Sequence, residues 1–251
     1  MNEELVNNCK LLLQAYKTGK LGQTIMPEDT NPGFKVEEKE KRLAYFTLPM
    51  SLNYQRNSYK LWESALQTYL DPETKIVFDV NKVALLTEDK LREYLTRYKL
   101  ALLPNKHTHT WKTIANTISQ NFNNLENLFE SADNDYLKLK EIVQSKLKKG
   151  FPYISGPKIF NYWSFVMKEY GQIQLKNAEY IEIAPDTHIT QCSIKLGVLN
   201  LEEAEKLSKE KISEKWRQSL KGSGINPIDM HPPLWFWSRN GFLFALNNNN
   251  P

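Results

Sequence analysis

Apolar side chains recur at intervals of three and four along most of this chain, and that spacing restricts the fold more than any other feature. Residues 3–17 carry Leu5, Val6, Cys9, Leu12, Leu13 and Tyr16 at helical spacing. Residues 57–70 put Tyr59, Trp62, Leu66 and Leu70 on one face, and Asp71-Pro72 ends that helix. The same period predicts helices over 88–98, 108–119 and 134–148, with Pro104 and Asn105 as a break. Further helices are predicted around Ile159–Met167, over 188–197 ending at Gly197, and over 201–220. Gly19, Gly22, Pro27, Pro32 and Gly33 mark a loop, and residues 75–82 read as a short strand or an extended connector. Roughly nine helices and little strand make the expected class all-α.

At 251 residues the chain is long enough for one large domain or two small ones, with a substantial core. Hydrophobic residues at 41% and charged residues at 25% are ordinary for a globular protein. The net charge of +4 and pI of 8.8 suit an anionic partner without identifying one. Cys9 and Cys192 lack CxxC spacing, which excludes a four-cysteine iron–sulfur cluster or zinc site. His107 and His109 are two apart and would face different sides of a helix. No metal and no cofactor are expected. No apolar run approaches the roughly 20 residues that span a bilayer, and the polar opening MNEELVNNCK has no signal-peptide pattern. The expectation is a soluble intracellular protein, in cytoplasm, nucleoid or nucleus, acting as a monomer. The run Asn247–Asn250 with Pro251 reads as a frayed end.

The most distinctive stretch is Gly150-Phe-Pro-Tyr-Ile-Ser-Gly-Pro-Lys158 followed by an apolar helix, a polar loop at 171–179, and Ile183-Ala-Pro-Asp186-Thr-His188 opening another helix. A hairpin between two helices holds a DNA phosphate with backbone N–H groups and the positive end of the second helix. Gly156 allows the backbone to approach closely. This order of segments resembles the helix–hairpin–helix DNA glycosylase superfamily, to which endonuclease III and the 8-oxoguanine glycosylases belong. Lys158 falls where the lyase members carry their nucleophilic lysine, and Asp186 where they carry the catalytic aspartate. Leu48 to Asn57 is similar to the lesion-recognition loop, and Leu103-Pro-Asn-Lys-His107 to the segment before the hairpin. The resemblance covers about residues 45 to 200. Two departures stand out. Tyr153-Ile-Ser-Gly156 replaces the usual Pro-Gly-Val-Gly, and Asp186 follows Lys158 by 28 positions, more than in most members.

The resemblance implies two α-helical lobes with a DNA cleft between them, one from residues 1–54 and 171–251, the other from 55–170. It implies a glycosylase that flips a damaged or mismatched base out of double-stranded DNA. A carboxylate at Asp186 would stabilise the positive charge that grows on the sugar. The Lys158 amine would displace the base and leave a Schiff base, which permits β-elimination. Gln55 would fill the gap left by the flipped base. Tyr153, Ser155, Gly156, Arg56 and Lys106 would touch DNA. Tyr54, Phe151, Trp235 and Trp237 are candidates for the base pocket, although the two tryptophans suit core packing at least as well. Asp186 would double as a helix N-cap, His188 would be structural, and the charged stretch 201–217 a solvated face. The rival readings are a monofunctional glycosylase using an Asp-activated water, a non-catalytic hairpin DNA-binding protein, and a helical interaction scaffold.

Overall fold

The computed structural model describes residues 2–246; the Asn-rich end expected to fray lies outside the described residues. Among those residues there are thirteen α-helices and no β-strand, with one isolated bridge between Asp135 and Lys176. The helices are α1 (Glu3–Lys17), α2 (Lys39–Leu52), α3 (Ser58–Leu70), α4 (Val80–Leu85), α5 (Glu88–Arg97), α6 (Pro104–Phe122), α7 (Leu125–Ser131), α8 (Tyr136–Glu141), α9 (Pro157–Glu169), α10 (Thr187–Lys195), α11 (Leu201–Lys206), α12 (Lys209–Leu220) and α13 (His231–Arg239).

The expected all-α class holds, but α2, buried on every side, and α13 showed no helical period and were not expected, and α4, α7, α8 and α11 have only six or seven residues, so that the expected helix 134–148 is α8 running into a π-helical turn. Two turns are too few for a period to stand out. Each is started instead by an N-cap side chain, from Asp79, Asn124, Asp135 and Asn200. Where a strand or connector was expected, a 3-10 turn (Thr74–Phe78) runs into α4, and the indole of Trp111 donates to the Val77 carbonyl at 2.8 Å. Pro104, expected as a break, also begins α6, because its fixed φ and missing N–H suit the first helical position. The stretch 201–220 is two helices, with Ser208 capping the second.

The chain divides into two compact units, Met26–Ala178 and Met1–Ile25 with Glu179–Pro251. The seams fall at 25/26 and 178/179 rather than at the expected 54/55 and 170/171. The reason lies in α2. From Arg42 to Leu52 every residue of α2 is buried, so this helix needs cover on all sides. It receives that cover from α3, α6, α7 and α9 inside the central unit. Residues beyond 170 stay there too. Gly171 accepts from Arg42 Nε at 3.1 Å, and Lys176 exchanges backbone hydrogen bonds with Asn134 and Tyr136 at 2.8 and 3.0 Å. In the other unit α13 packs against α1 and α10.

Lys112, on α6, closes the end of α4. Its ammonium donates to the carbonyls of Val83 at 2.8 Å and Ala84 at 3.0 Å, and also to Leu86. These carbonyls lie at a helix C-terminus, where a cation is favoured. Lys112→Met keeps the stem and loses the donors. It should destabilise the protein by about 2 kcal/mol, read as a lower denaturant midpoint in chemical unfolding; an unchanged midpoint would show that water replaces the amine.

Candidate functional site

Between α8 and α9 the chain passes through a π-helical turn (Ile142–Lys146), a 3-10 turn (Lys148–Gly150) and a tight hairpin over 151–156. Phe151 and Ile154 are buried and pin that hairpin to the core. Phe151 is therefore a packing residue and not part of a base pocket. Inside the hairpin the N–H groups of Ile154, Ser155 and Gly156 donate to the carbonyls of Pro152, Phe151 and Tyr153 at 2.8, 2.9 and 3.1 Å. These donors are spent locally and do not face a phosphate, contrary to the simplest expectation. Gln144 Nε2 donates to the Ser155 carbonyl at 3.0 Å and holds the turn. Gly156 caps α9 with an ordinary φ of −66°, and no side chain caps that helix. An added Cβ at Gly156 would meet the Tyr153 carbonyl oxygen at 3.2 Å.

Tyr153, in the middle of the hairpin, has a left-handed backbone, at φ 69°. For a tyrosine this is a strained backbone. Its surroundings hold it there. The phenol donates to the carbonyl of Asn53, one hundred positions earlier. Its ring meets that of Tyr54 edge-on, with centroids 5.8 Å apart at 83°. Lys106 Nζ sits 4.3 Å from the centroid of the Tyr54 ring. The residues 53–55, 106 and 153, scattered in sequence, thus form one patch of the central unit.

Arg56 plays a different part from the one expected. Its guanidinium donates to the carbonyls of Leu100 at 2.6 Å and Lys99 at 3.1 Å, splinting the loop to the turn after α5. His107 accepts from the Leu102 N–H at 3.2 Å. Burial first, then the charges of Arg56 and Lys106, push His107 down to about 4, so it is a neutral acceptor. Gln55, exposed at the loop tip, also has a positive φ, 48°. Gln55→Gly should relieve this strain and stabilise the protein by about 0.5 kcal/mol. If Gln55 is a DNA wedge, affinity for lesion DNA should fall several-fold in the same variant. Thermal melting and DNA titration separate the two effects, and unchanged affinity would remove the wedge role.

Lys158 lies exposed in the first turn of α9, behind Pro157. One helical turn further on the same face is Tyr162. Its hydroxyl donates to Glu28 Oε1 at 3.1 Å. Glu28 was missed by the sequence reading. In Pro27-Glu-Asp29 it looks like a solvated turn, yet it is buried, and no local pattern signals this. Burial pushes its carboxyl up to about 7, against the pull of its hydrogen bonds.

The other unit presents Asp186. Its Oδ1 accepts from the Ile189 N–H at 2.9 Å, so it caps α10 as expected. Its second oxygen takes no hydrogen bond among the described residues. Beside it the edge of the His188 ring meets Trp235, with centroids 5.5 Å apart at 73°, and His188 Nδ1 lies 3.0 Å from Ser238 Oγ. Ser238 in turn donates to Gln191 at 2.7 Å. The Arg239 guanidinium sits 4.9 Å from the Trp235 centroid. Trp237 is core: it is buried and donates to the Phe244 carbonyl at 2.9 Å. It leaves the list of base-pocket candidates, whereas the half-buried Trp235 stays on it. Burial pushes the thiols of Cys9 and Cys192 up to about 12, which leaves both inert as nucleophiles.

No protein-family model matches this chain, and no curated protein matches it. Among the described residues no group of three His, Cys, Asp or Glu side chains could hold a metal ion. No described helix is long and apolar enough to cross a membrane.

Proposed function

We propose that this chain is a DNA base-excision glycosylase with AP-lyase activity. The observation that carries the reading is the hydrogen bond from the Tyr153 hydroxyl to the Asn53 carbonyl. It ties the loop with Gln55 to the hairpin that leads directly into Lys158. A DNA strand lying along this patch would then meet Gln55, Tyr54 and Lys106 together. Residues 136–169 would be the helix–hairpin–helix element, and the two compact units the two helical lobes of the superfamily.

In the reaction, the Lys158 amine attacks C1′ of a flipped nucleotide. The glycosidic C–N bond breaks, and the base leaves with the electron pair and takes up a proton. Sugar ring opening gives an iminium between lysine and C1′. Loss of a C2′ proton then expels the 3′ phosphate. Asp186 supplies negative charge where the sugar becomes positive. The attacking amine must be uncharged.

Borohydride trapping is the test. Duplexes carrying one damaged base each, and one carrying a preformed abasic site, are incubated with the protein and borohydride. A covalent protein–DNA complex is expected, because only a Schiff base is reduced to a stable amine. Base release without trapping would make the enzyme monofunctional. Neither release nor trapping on any duplex would end the glycosylase reading.

A further inference from the structure

The turn Pro27–Asp29 holds its place through nearly every polar group it has. Asp29 accepts from the Met26 N–H at 2.7 Å and from the Tyr170 hydroxyl at 3.0 Å. The Thr30 carbonyl accepts from the Tyr45 hydroxyl at 2.8 Å, and Asn31 donates to the Glu28 carbonyl at 3.1 Å. Against that background Glu28 is anomalous. It is 1% exposed, and only Oε1 is engaged, by Tyr162; Oε2 has no partner. The indole N–H of Trp62, fully buried on α3, helps to hold the Glu28 charge but makes no hydrogen bond of acceptable geometry. An acceptor and a donor thus lie side by side, near enough to interact but without a well-formed hydrogen bond between them or to any other group. Folded proteins keep few such groups, because each is costly to bury unpaired. Looseness does not explain the pair, since the turn around it is fixed.

We propose that Glu28 and Trp62 form the polar edge that reads the displaced base, which must then present a hydrogen-bond donor beside an acceptor. This rests on the glycosylase reading. Glu28 Oε2 accepts from an N–H of the base, and the Trp62 N–H donates to a neighbouring carbonyl oxygen or ring nitrogen. Position supports the assignment. Tyr162, which grips Glu28, lies four residues after Lys158, so the carboxyl is held by a residue whose backbone is about 6 Å along the helix from that of the residue that attacks the sugar. The base departs from the carbon that the amine attacks, so its reader belongs near this face of α9. A flipped base is read by hydrogen bonds in a closed pocket, which is where buried polar groups gain their missing partners.

Glu28→Gln puts a donor amide in place of the acceptor. The probes are a duplex with 8-oxoguanine, a duplex with uracil, and the same duplex with a preformed abasic site. Excision of whichever base the wild type removes should fall at least tenfold in Glu28→Gln. Borohydride trapping on the abasic duplex, which has no base to read, should stay within twofold. Tyr162→Phe, which keeps the ring and loses only the grip on Oε1, should lower excision about threefold with trapping again preserved. Unchanged excision in Glu28→Gln overturns the proposal. So does an equal fall of excision and trapping in both variants, which would mark a purely structural carboxyl. A wild type that removes no base and traps no abasic-site DNA fails the glycosylase reading and takes this proposal with it.

Discussion

Asp186→Asn should cut base removal by about 100-fold or more while leaving the melting temperature nearly unchanged. The two halves of that expectation have separate causes. Asp186 caps α10 through one oxygen, on the Ile189 N–H at 2.9 Å. Asn caps a helix about as well as Asp, so this bond survives and α10 keeps its start. What disappears is the negative charge. A sugar losing its base becomes an oxocarbenium-like cation, and a carboxylate beside it stabilises that charge in the transition state more than in the ground state. A 100-fold loss corresponds to about 2.7 kcal/mol of transition-state stabilisation. The measurement is the single-turnover rate of base release from a lesion duplex, with a thermal melt of the same preparation. An undiminished rate would reduce Asp186 to a cap.

Lys158→Gln should abolish the borohydride-trapped complex, lowering its yield by about 1000-fold or more. An amide has no basic nitrogen to form an iminium. Lys158→Arg makes the argument sharper. Arginine keeps the positive charge and any phosphate contact, but its guanidinium does not act as a nucleophile. If Lys158 only held DNA, Lys158→Arg would bind and react like the wild type. If it is the nucleophile, Lys158→Arg binds DNA within a few-fold of the wild type and traps nothing. Because Lys158 is exposed in the first turn of α9, either substitution should change stability by no more than about 0.5 kcal/mol. A trapped complex in both variants would assign the Schiff base to another amine.

Legibility followed the range of the forces involved. Helix α3 was readable in extent because apolar residues recur along it and Asp71-Pro72 stops it, but the buried face is Leu61, Trp62, Ala65 and Tyr69, and Leu70, expected on the apolar face, is exposed. Asp186 as a cap was readable for the same reason, since the bond spans three residues. Arg56 looked like a phosphate ligand because an isolated arginine carries no mark of its partner. Its partners are carbonyls more than forty positions away, exposed by the turn after α5. Phe151 looked like a stacking surface, since an aromatic ring in sequence does not reveal which side of it is filled, whereas the core packing expected for Trp237 holds.

The amino-acid sequence by itself determined that the chain is helical, where most of the amphipathic helices run, though not the fully buried α2 or α13, and that a lysine and an aspartate each open a helix after a Pro-containing turn. Periodicity and capping are contacts between near neighbours, so they are written in short stretches. Only the tertiary structure decided that α2 is enclosed within Met26–Ala178, that Tyr153 reaches back to Asn53, and that Glu28 is buried with one oxygen unpaired. Each of these depends on which distant surfaces exclude water from one another, and no local pattern of residues encodes that.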